Sequence, residues 1–261
     1  GILALSLLFA AGALYAGVKV PVVKNVHISS EKLIREYTVV VLSDLHIHRV
    51  ISPQKIERIV SLANAQNPDV VLLAGDIIDD DVRRVSKITA LLKGLKASKG
   101  IYFVTGNHEF YAGYDETVRE LANLGFMFLE NDGAAVGKDL YLAGVPDTFA
   151  GAAYGKTPDL NRAFAKAGKG AYRLLVSHSP SDFAGRDFDL EVSGHTHGGQ
   201  IFPFHVFAKL HNKYLSGLYP MPGGAEIYVS NGAGQWGPQM RFLAPSEITV
   251  LRLTPENRIN K

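Results

Sequence analysis

The sequence predicts an α/β fold: a largely parallel sheet carrying helices on its faces, preceded by an apolar N-terminal segment. Three observations lead there. Short β-branched runs alternate with segments whose apolar residues recur at i, i+3, i+4 and i+7. The runs of the first half end in clusters of Asp, His or Asn, as strands do when their carboxyl ends face one crevice. With 261 residues, 47% of them hydrophobic, the chain can bury a large core without staples. There is no cysteine, which excludes disulfides and thiolate-bound zinc. A net charge of +2 without a dense Lys/Arg run gives no field for gripping a nucleic acid, and no nucleic-acid partner is expected.

Residues 1–20 open the chain with no charged side chain before Lys19. As a helix, Gly1 to Val18 would extend roughly 27 Å, near the thickness of a bilayer's hydrocarbon core. A transmembrane anchor is the expectation from that length. A cleaved signal segment, suggested by Ala11-Gly12-Ala13, and a buried core helix are the competing readings. Lys19, Lys24, Lys32 and Arg35 follow and lean the remainder toward the cytoplasm. Residues 21–36 are polar and basic and read as a connector; residues 37–261 read as one domain.

Within that domain Thr38 to Leu42 is a buried strand, and Ser52-Pro53 starts a helix with Ser as N-cap and Pro at the first helical position. Ile56, Ile59, Val60 and Ala63 form its apolar stripe. Val70 to Ala74 is the next strand, and Val85, Ile88, Leu91, Leu92 and Leu95 mark a second helix. Ile101 to Thr105 is a third strand, followed by a helix near Asp115 to Leu124. Later strands are expected at Leu140–Ala143, Leu174–Ser177, Glu191–Ser193, Ile227–Ser230 and Glu247–Leu253.

The strand ends carry the chemistry. Asp44-Leu45-His46 follows the first strand, Gly75-Asp76 the second and Gly106-Asn107-His108-Glu109 the third; His178 and Gly194-His195-Thr196-His197 come later. Residues two apart in an extended chain project to one side, so Asp44 with His46, and His195 with His197, act together. Glycines before Asp76, Asn107 and His195 would let the backbone turn sharply. Carboxylate, imidazole and amide oxygen suit Mn, Fe, Zn or Mg, and one ion cannot use seven protein ligands. Two ions sharing a carboxylate can, and phosphoester hydrolysis by an activated bridging hydroxide is the reaction such a pair fits.

The ordered pattern D-x-H, G-D-x-x-D, G-N-H-E, H and G-H-x-H resembles the calcineurin-like metallophosphoesterases. It reads here Asp44-Leu45-His46, Gly75-Asp76-Ile77-Ile78-Asp79, Gly106-Asn107-His108-Glu109, His178 and Gly194-His195-Thr196-His197. The resemblance implies a central β-sandwich flanked by helices. It also implies a two-ion centre of Mn, Zn or Fe. Asp44, His46, Asp76 and His197 would hold the first ion, with Asp76 bridging to a second completed by Asn107, His178 and His195. His108 would contact the phosphate and protonate the leaving oxygen, with Asp79 orienting its ring. The phrases GNHEFYAG and GHTHGGQI are similar to those of the bacterial membrane-tethered branch, which includes phosphodiesterases and enzymes cleaving the pyrophosphate of a UDP-diacylglucosamine lipid A precursor. A phosphodiester or pyrophosphate substrate, lipid-linked and membrane-associated, is therefore expected. A soluble nucleotide or cyclic nucleotide is the alternative. A non-catalytic, metal-stabilised binding module is a third reading, opposed by the presence of every ligand and of His108. Asp80-Asp81 after Asp79 replaces the Asp-Arg-Gly of protein phosphatases and counts against a phosphoprotein substrate.

Other residues have plainer readings. His27, His48, His205 and His211 are taken as surface or satisfied histidines, with His48 near enough to His46 to reach a pocket rim. Asp80 and Asp81 suit a helix start, Arg83 and Arg84 a solvated helix, and Glu109 a backbone organiser below the site. Phe202 to Phe207 reads either as a core strand and turn or as a hydrophobic flap, with Trp236 near the same rim.

Overall fold

The structure, a computed structural model, describes residues 1–181, 183 and 187–256. The first half runs α1 (Ile2–Val18), β1 (Val22–Ser30), β2 (Tyr37–Leu42), α2 (Pro53–Asn64), β3 (Val70–Ala74), α3 (Val82–Thr89), β4 (Ile101–Val104), α4 (Asn107–Ala112), α5 (Tyr114–Asn123) and β5 (Met127–Phe128). The second half runs β6 (Asp132–Ala135), β7 (Leu140–Gly144), α6 (Leu160–Ala163), β8 (Tyr172–Val176), β9 (Leu190–Ser193), α7 (Phe204–His211), β10 (Gly217–Pro220), β11 (Glu226–Val229) and β12 (Glu247–Pro255).

Two six-stranded sheets form, in the orders β1-β12-β2-β3-β4-β5 and β10-β11-β9-β8-β7-β6. One apolar cluster fills the space between them: Val39, Val41, Leu72 and Val104 of the first sheet pack with Leu142, Leu174, Val176 and Val192 of the second. The opposite face of the first sheet (Val40, Leu42, Val71, Leu73) packs on the α2 stripe Ile56, Ile59, Val60 and Ala63, which the sequence had marked. A third cluster, with Leu175, Ile227 and Phe164, backs the second sheet. The fold is thus an α/β sandwich flanked by helices.

Two expectations are corrected. The sheets are mixed rather than one largely parallel sheet, because β12 pairs antiparallel to β2 (Thr249 opposite Val41), as β6 does to β7 and β10 to β11. Residues 22–30, expected as connector, are β1, paired parallel to β12 from Val22–Glu247 to Ser30–Pro255. This strand lies at a sheet edge with mostly part-exposed residues, so its sequence lacks the apolar run of a central strand. The apolar N-terminal segment forms α1. It has 17 residues, and among the described residues no helix is long and apolar enough to cross a membrane. On one side α1 leans on the body near residues 239–242. Ala13 and Gly17 are buried, the Arg241 amide donates to Ala13 O at 2.9 Å, and Phe9 meets Phe242 edge-on at 4.6 Å. Most of its other apolar side chains, Leu3, Leu5 and Leu8 among them, stay exposed, so it is not a core helix.

Candidate metal centre

The candidate ligands all leave the carboxyl ends of strands on one side of the sandwich. Asp44 and His46 follow β2, Asp76 follows β3, Asn107 opens α4 after β4, His178 follows β8, and His195 and His197 follow β9. The structure brings all seven together. Nε2 of His197 lies 3.3 Å from Oδ1 of Asp44 and 3.0 Å from Nε2 of His46. His46 Nε2 is 3.7 Å from Oδ2 of Asp76, and His178 Nε2 is 3.1 Å from that same oxygen. Nδ1 of His195 sits 2.9 Å from Oδ1 of Asn107. Three overlapping groups, Asp44/His46/His197, His46/Asp76/His108 and Asp76/His178/His195, each converge within 4.8 Å.

These residues fit a metal ion on chemical grounds. Nε2 of His178 is buried with no hydrogen-bond partner, near Asp76 but without the alignment of a hydrogen bond. Two imidazole nitrogens 3.0 Å apart, His46 and His197, aim at one place that a cation would satisfy. Carboxylate and imidazole together suit a divalent transition ion.

The backbone is bent to make this convergence. Asp44, His46, Asp76, His195 and His197 all have positive φ, between 46° and 68°. Asp and His tolerate that region better than most side chains but still pay for it, and such strain gathers at functional sites. Of the three glycines expected to provide turns, Gly75 does so, at φ 83°. Gly106, at φ −98°, is needed for room: a Cβ there would sit 2.2 Å from Oδ1 of Asp76. Gly194 likewise leaves no space, since its Cβ would meet Asp44 Oδ2 at 2.4 Å.

Surrounding charges set the ionisation. Burial alone would raise the Asp76 carboxyl, but His178, His46 and His108 hold it well below the usual range. Burial would lower His178, and the Asp76 carboxylate overrides it, so its pKa is raised. Burial, His46 and Arg241 push His197 well below the ordinary imidazole range. Burial also pulls His108 down, but the hydrogen bond to Asp79 and the charge of Asp76 more than offset it. Nδ1 of His108 is 2.5 Å from Oδ1 of Asp79, whose other oxygen is 3.3 Å from Nδ1 of His46. The Asp79 carboxylate therefore orients the His108 ring, while Nδ1 of His46 lies near it buried and without an aligned partner.

Glu109 does what its position suggested. Its fully buried carboxylate accepts from the amides of Asp76 (3.0 Å), Ile77 (2.6 Å), Ile78 (3.0 Å) and Gly106 (2.6 Å), joining two ligand loops from below. Asp81 caps α3 by accepting from the Arg83 amide, and Asp80 pairs with Arg49 and Arg84, so these charges serve the helix start. His48 is part-buried and does not line the cleft. His205 is also part-buried, with its ring 5.0 Å from that of Phe202. The side chain of His211 lies outside the described set.

Above the ligands opens a cleft of about 530 Å³. Its floor is His46, Asp76, Asn107, His108, His195 and His197; its wall is Ile201, Phe204, Phe207, Ala208, Trp236 and Pro238. The 202–207 run is therefore not a core strand. It enters α7 with Phe204 and Phe207 each 64% exposed, and Trp236 opposite is 57% exposed. One residue escaped the sequence reading altogether. Arg241 is completely buried, and its Nη2 lies 3.2 Å from Nδ1 of His197. No local motif marks it; an arginine soon after a Gly-rich loop is unremarkable until the loops are folded.

The fold and the strand-end Asp/His/Asn cluster together define a metal-dependent phosphoesterase. The chain belongs to the calcineurin-like phosphoesterases, whose family model matches residues 37–199, and this makes it a metallophosphoesterase, a hydrolase of phosphoesters. It is 38% identical over 248 residues to an uncharacterised metallophosphoesterase of Helicobacter pylori, covering 94% of this chain and 67% of that one. A Danio rerio transmembrane protein with metallophosphoesterase domain is 34% identical over 89% of this chain and 57% of its own length. An uncharacterised metallophosphoesterase of Bacillus subtilis is 30% identical, over 85% and 80% respectively. The chain thus spans about two thirds of the Helicobacter relative and little more than half of the vertebrate one. Among solved structures, TT1561 of Thermus thermophilus shares the fold at a TM-score of 0.50 and 14% identity, over 76% of this chain and 90% of that one.

Proposed function

We propose that the chain hydrolyses a phosphodiester or pyrophosphate whose leaving part is apolar, an acylated substrate such as a UDP-diacylglucosamine-like molecule reached at a membrane surface. The observation that carries this reading is the cleft's division into a polar floor and an aromatic wall. Aromatic side chains left this exposed are costly unless an apolar group covers them in use. The exposed apolar residues of α1 adjoin the same corner, since Phe9 touches Phe242 and Phe242 bridges to Ile201 at the cleft wall.

Asp44, His46, Asp76, Asn107, His178, His195 and His197 would hold two divalent ions, with Asp76 shared. When bound, such a pair supplies an activated water and neutralises charge on the phosphoryl oxygens. The remaining steps belong to the chain. Asp79 holds the His108 ring through Nδ1, which turns Nε2 toward the cleft, and that nitrogen delivers the proton to the departing oxygen. Trp236 and the α7 phenylalanines receive the apolar part and exclude water from the reacting bond.

The test compares an acylated pyrophosphate in mixed micelles with a soluble aryl phosphodiester. Changing both Phe204 and Phe207 to Ser should lower kcat/KM on the acylated substrate by about 10-fold or more, the scale of lost apolar contacts in a pocket. The aryl ester should change by less than a factor of about three, in keeping with that limit. Equal effects on both, or a preference for soluble nucleotides over every acylated substrate, would replace this reading with a soluble-substrate one.

A further inference from the structure

Around the floor, the least explained group is Arg241. A guanidinium carries a full charge and five N–H donors, and burying one completely is tolerated only where those donors are met. Here they are met by main-chain carbonyls from three loops. Nη2 donates to Asn231 O at 2.8 Å and Gly234 O at 2.6 Å; Nη1 donates to Ala244 O at 2.9 Å and His197 O at 3.3 Å; Nε donates to Gly234 O at 3.2 Å. The 232–234 segment held this way lies directly on the Asp44 loop. The Ala233 and Gly234 amides donate to Ser43 O and Asp44 O, both at 2.9 Å, and a Cβ on Gly234 would come within 2.2 Å of Leu45 O. Arg241 thus grips the loop that fixes Asp44 with one side of its fork and the loop of His197 with the other. Its contacts on the second ligand group, His178, Asn107 and His195, are none among the described residues.

The backbone of Arg241 is itself held from outside, by its amide's bond to Ala13 O of α1. Close packing fixes that contact: at Gly17 a Cβ would fall 2.4 Å from Gln239 O and 2.8 Å from the Met240 amide nitrogen. Lys55 adds a second tie, donating to Gly17 O at 3.1 Å.

We infer that Arg241 is a positioning residue for one of the two ion sites, the one built on Asp44, His46 and His197, and that α1 is part of that support. The inference rests on the two-ion reading above. Partners that orient metal ligands typically cost about 10–100-fold in metal affinity when removed. The coupling links the apolar N-terminal helix to the metal centre through two residues, Ala13 and Arg241, without either touching substrate.

Titrating the metal-depleted full chain with Mn²⁺, followed by calorimetry and electron paramagnetic resonance, tests this without any substrate. Wild type should bind two equivalents; failure to do so removes the two-ion reading itself. Arg241→Gln should weaken one equivalent by about 10–100-fold and leave the other within a factor of a few. Arg241→Lys should recover part of that loss. Gly17→Val, remote from every ligand, should weaken the same equivalent to a smaller degree by levering α1 off residues 239–241. It carries the test if Arg241→Gln does not fold by circular dichroism. Two equivalents at wild-type affinity in a folded Arg241 variant, or equal weakening of both, would overturn the positioning role. An unaltered Gly17→Val protein would overturn the part assigned to α1.

Discussion

The floor and the wall of the cleft are built from opposite materials. On the floor, His46, Asp76 and His197 are almost wholly removed from solvent, their backbones are strained, and Glu109 and Arg241 brace the loops from behind. The wall, Phe204, Phe207 and Trp236, is mostly exposed and sits on a short helix and a Gly-rich loop. A floor residue has several partners that depend on it, and a wall residue has few. Changes to the floor should therefore alter chemistry on every substrate, whereas changes to the wall should alter only the choice among them.

The largest effect belongs to the carboxylate shared by the ligand groups. Asp76→Asn should lower occupancy by metal analysis at both sites and abolish turnover of a soluble phosphodiester along with that of an acylated substrate. Two bound equivalents with near-normal turnover would show that the floor is not organised around Asp76.

Next comes His108, on the floor but outside the proposed ligand set. Its replacement by Ala should keep both metals and lose about 10²–10⁴-fold in turnover, the usual worth of general acid help. The loss should shrink for esters whose leaving group is already acidic, because they need no proton. If the variant sheds metal instead, His108 is itself a ligand, as the grouping of His46, Asp76 and His108 within 4.8 Å would then imply.

The smallest effect lies outside both regions and serves as a control on them. Burial holds the Lys55 ammonium down, from the ordinary 10.5 to about 8. Between those values the unfolded chain binds a proton that the folded chain does not, so this group's contribution makes stability rise with pH across that window. Below pH 8 both states are charged and its cost is fully present. Urea unfolding of wild type and Lys55→Met at pH 8 and pH 10 should show a steeper rise for wild type. Parallel behaviour would mean that Lys55 is solvated in the folded state.

The floor was far more legible in the sequence than the wall. Each ligand needs a particular atom type at a strand end, so short motifs such as Asp44-x-His46 and Gly194-His195-x-His197 register chemistry directly. Glu109 could be foreseen for the same reason. Phe202 to Phe207 could not be resolved, because three aromatics in six residues describe a core strand as well as an exposed helix, and only the packing around them distinguishes the two. The apolar segment at residues 2–18 raised the same difficulty: composition fixed it as a helix, but its contacts with residues 239–242 lie more than 200 positions away.

By itself, then, the sequence determined the α/β class, most of the strands and helices, the seven candidate ligands with His108 and Asp79, and the phosphoesterase family. Those properties reside in local periodicity and in residue types at fixed spacing. Only the tertiary structure decided that the strands divide into two mixed sheets, that residues 22–30 form an edge strand on β12, and that Arg241 sits behind His197. The physical reason is common to all three. Strand pairing and the satisfaction of a buried guanidinium depend on which carbonyls and amides remain unpaired once distant segments meet, and no short stretch of chain carries that information.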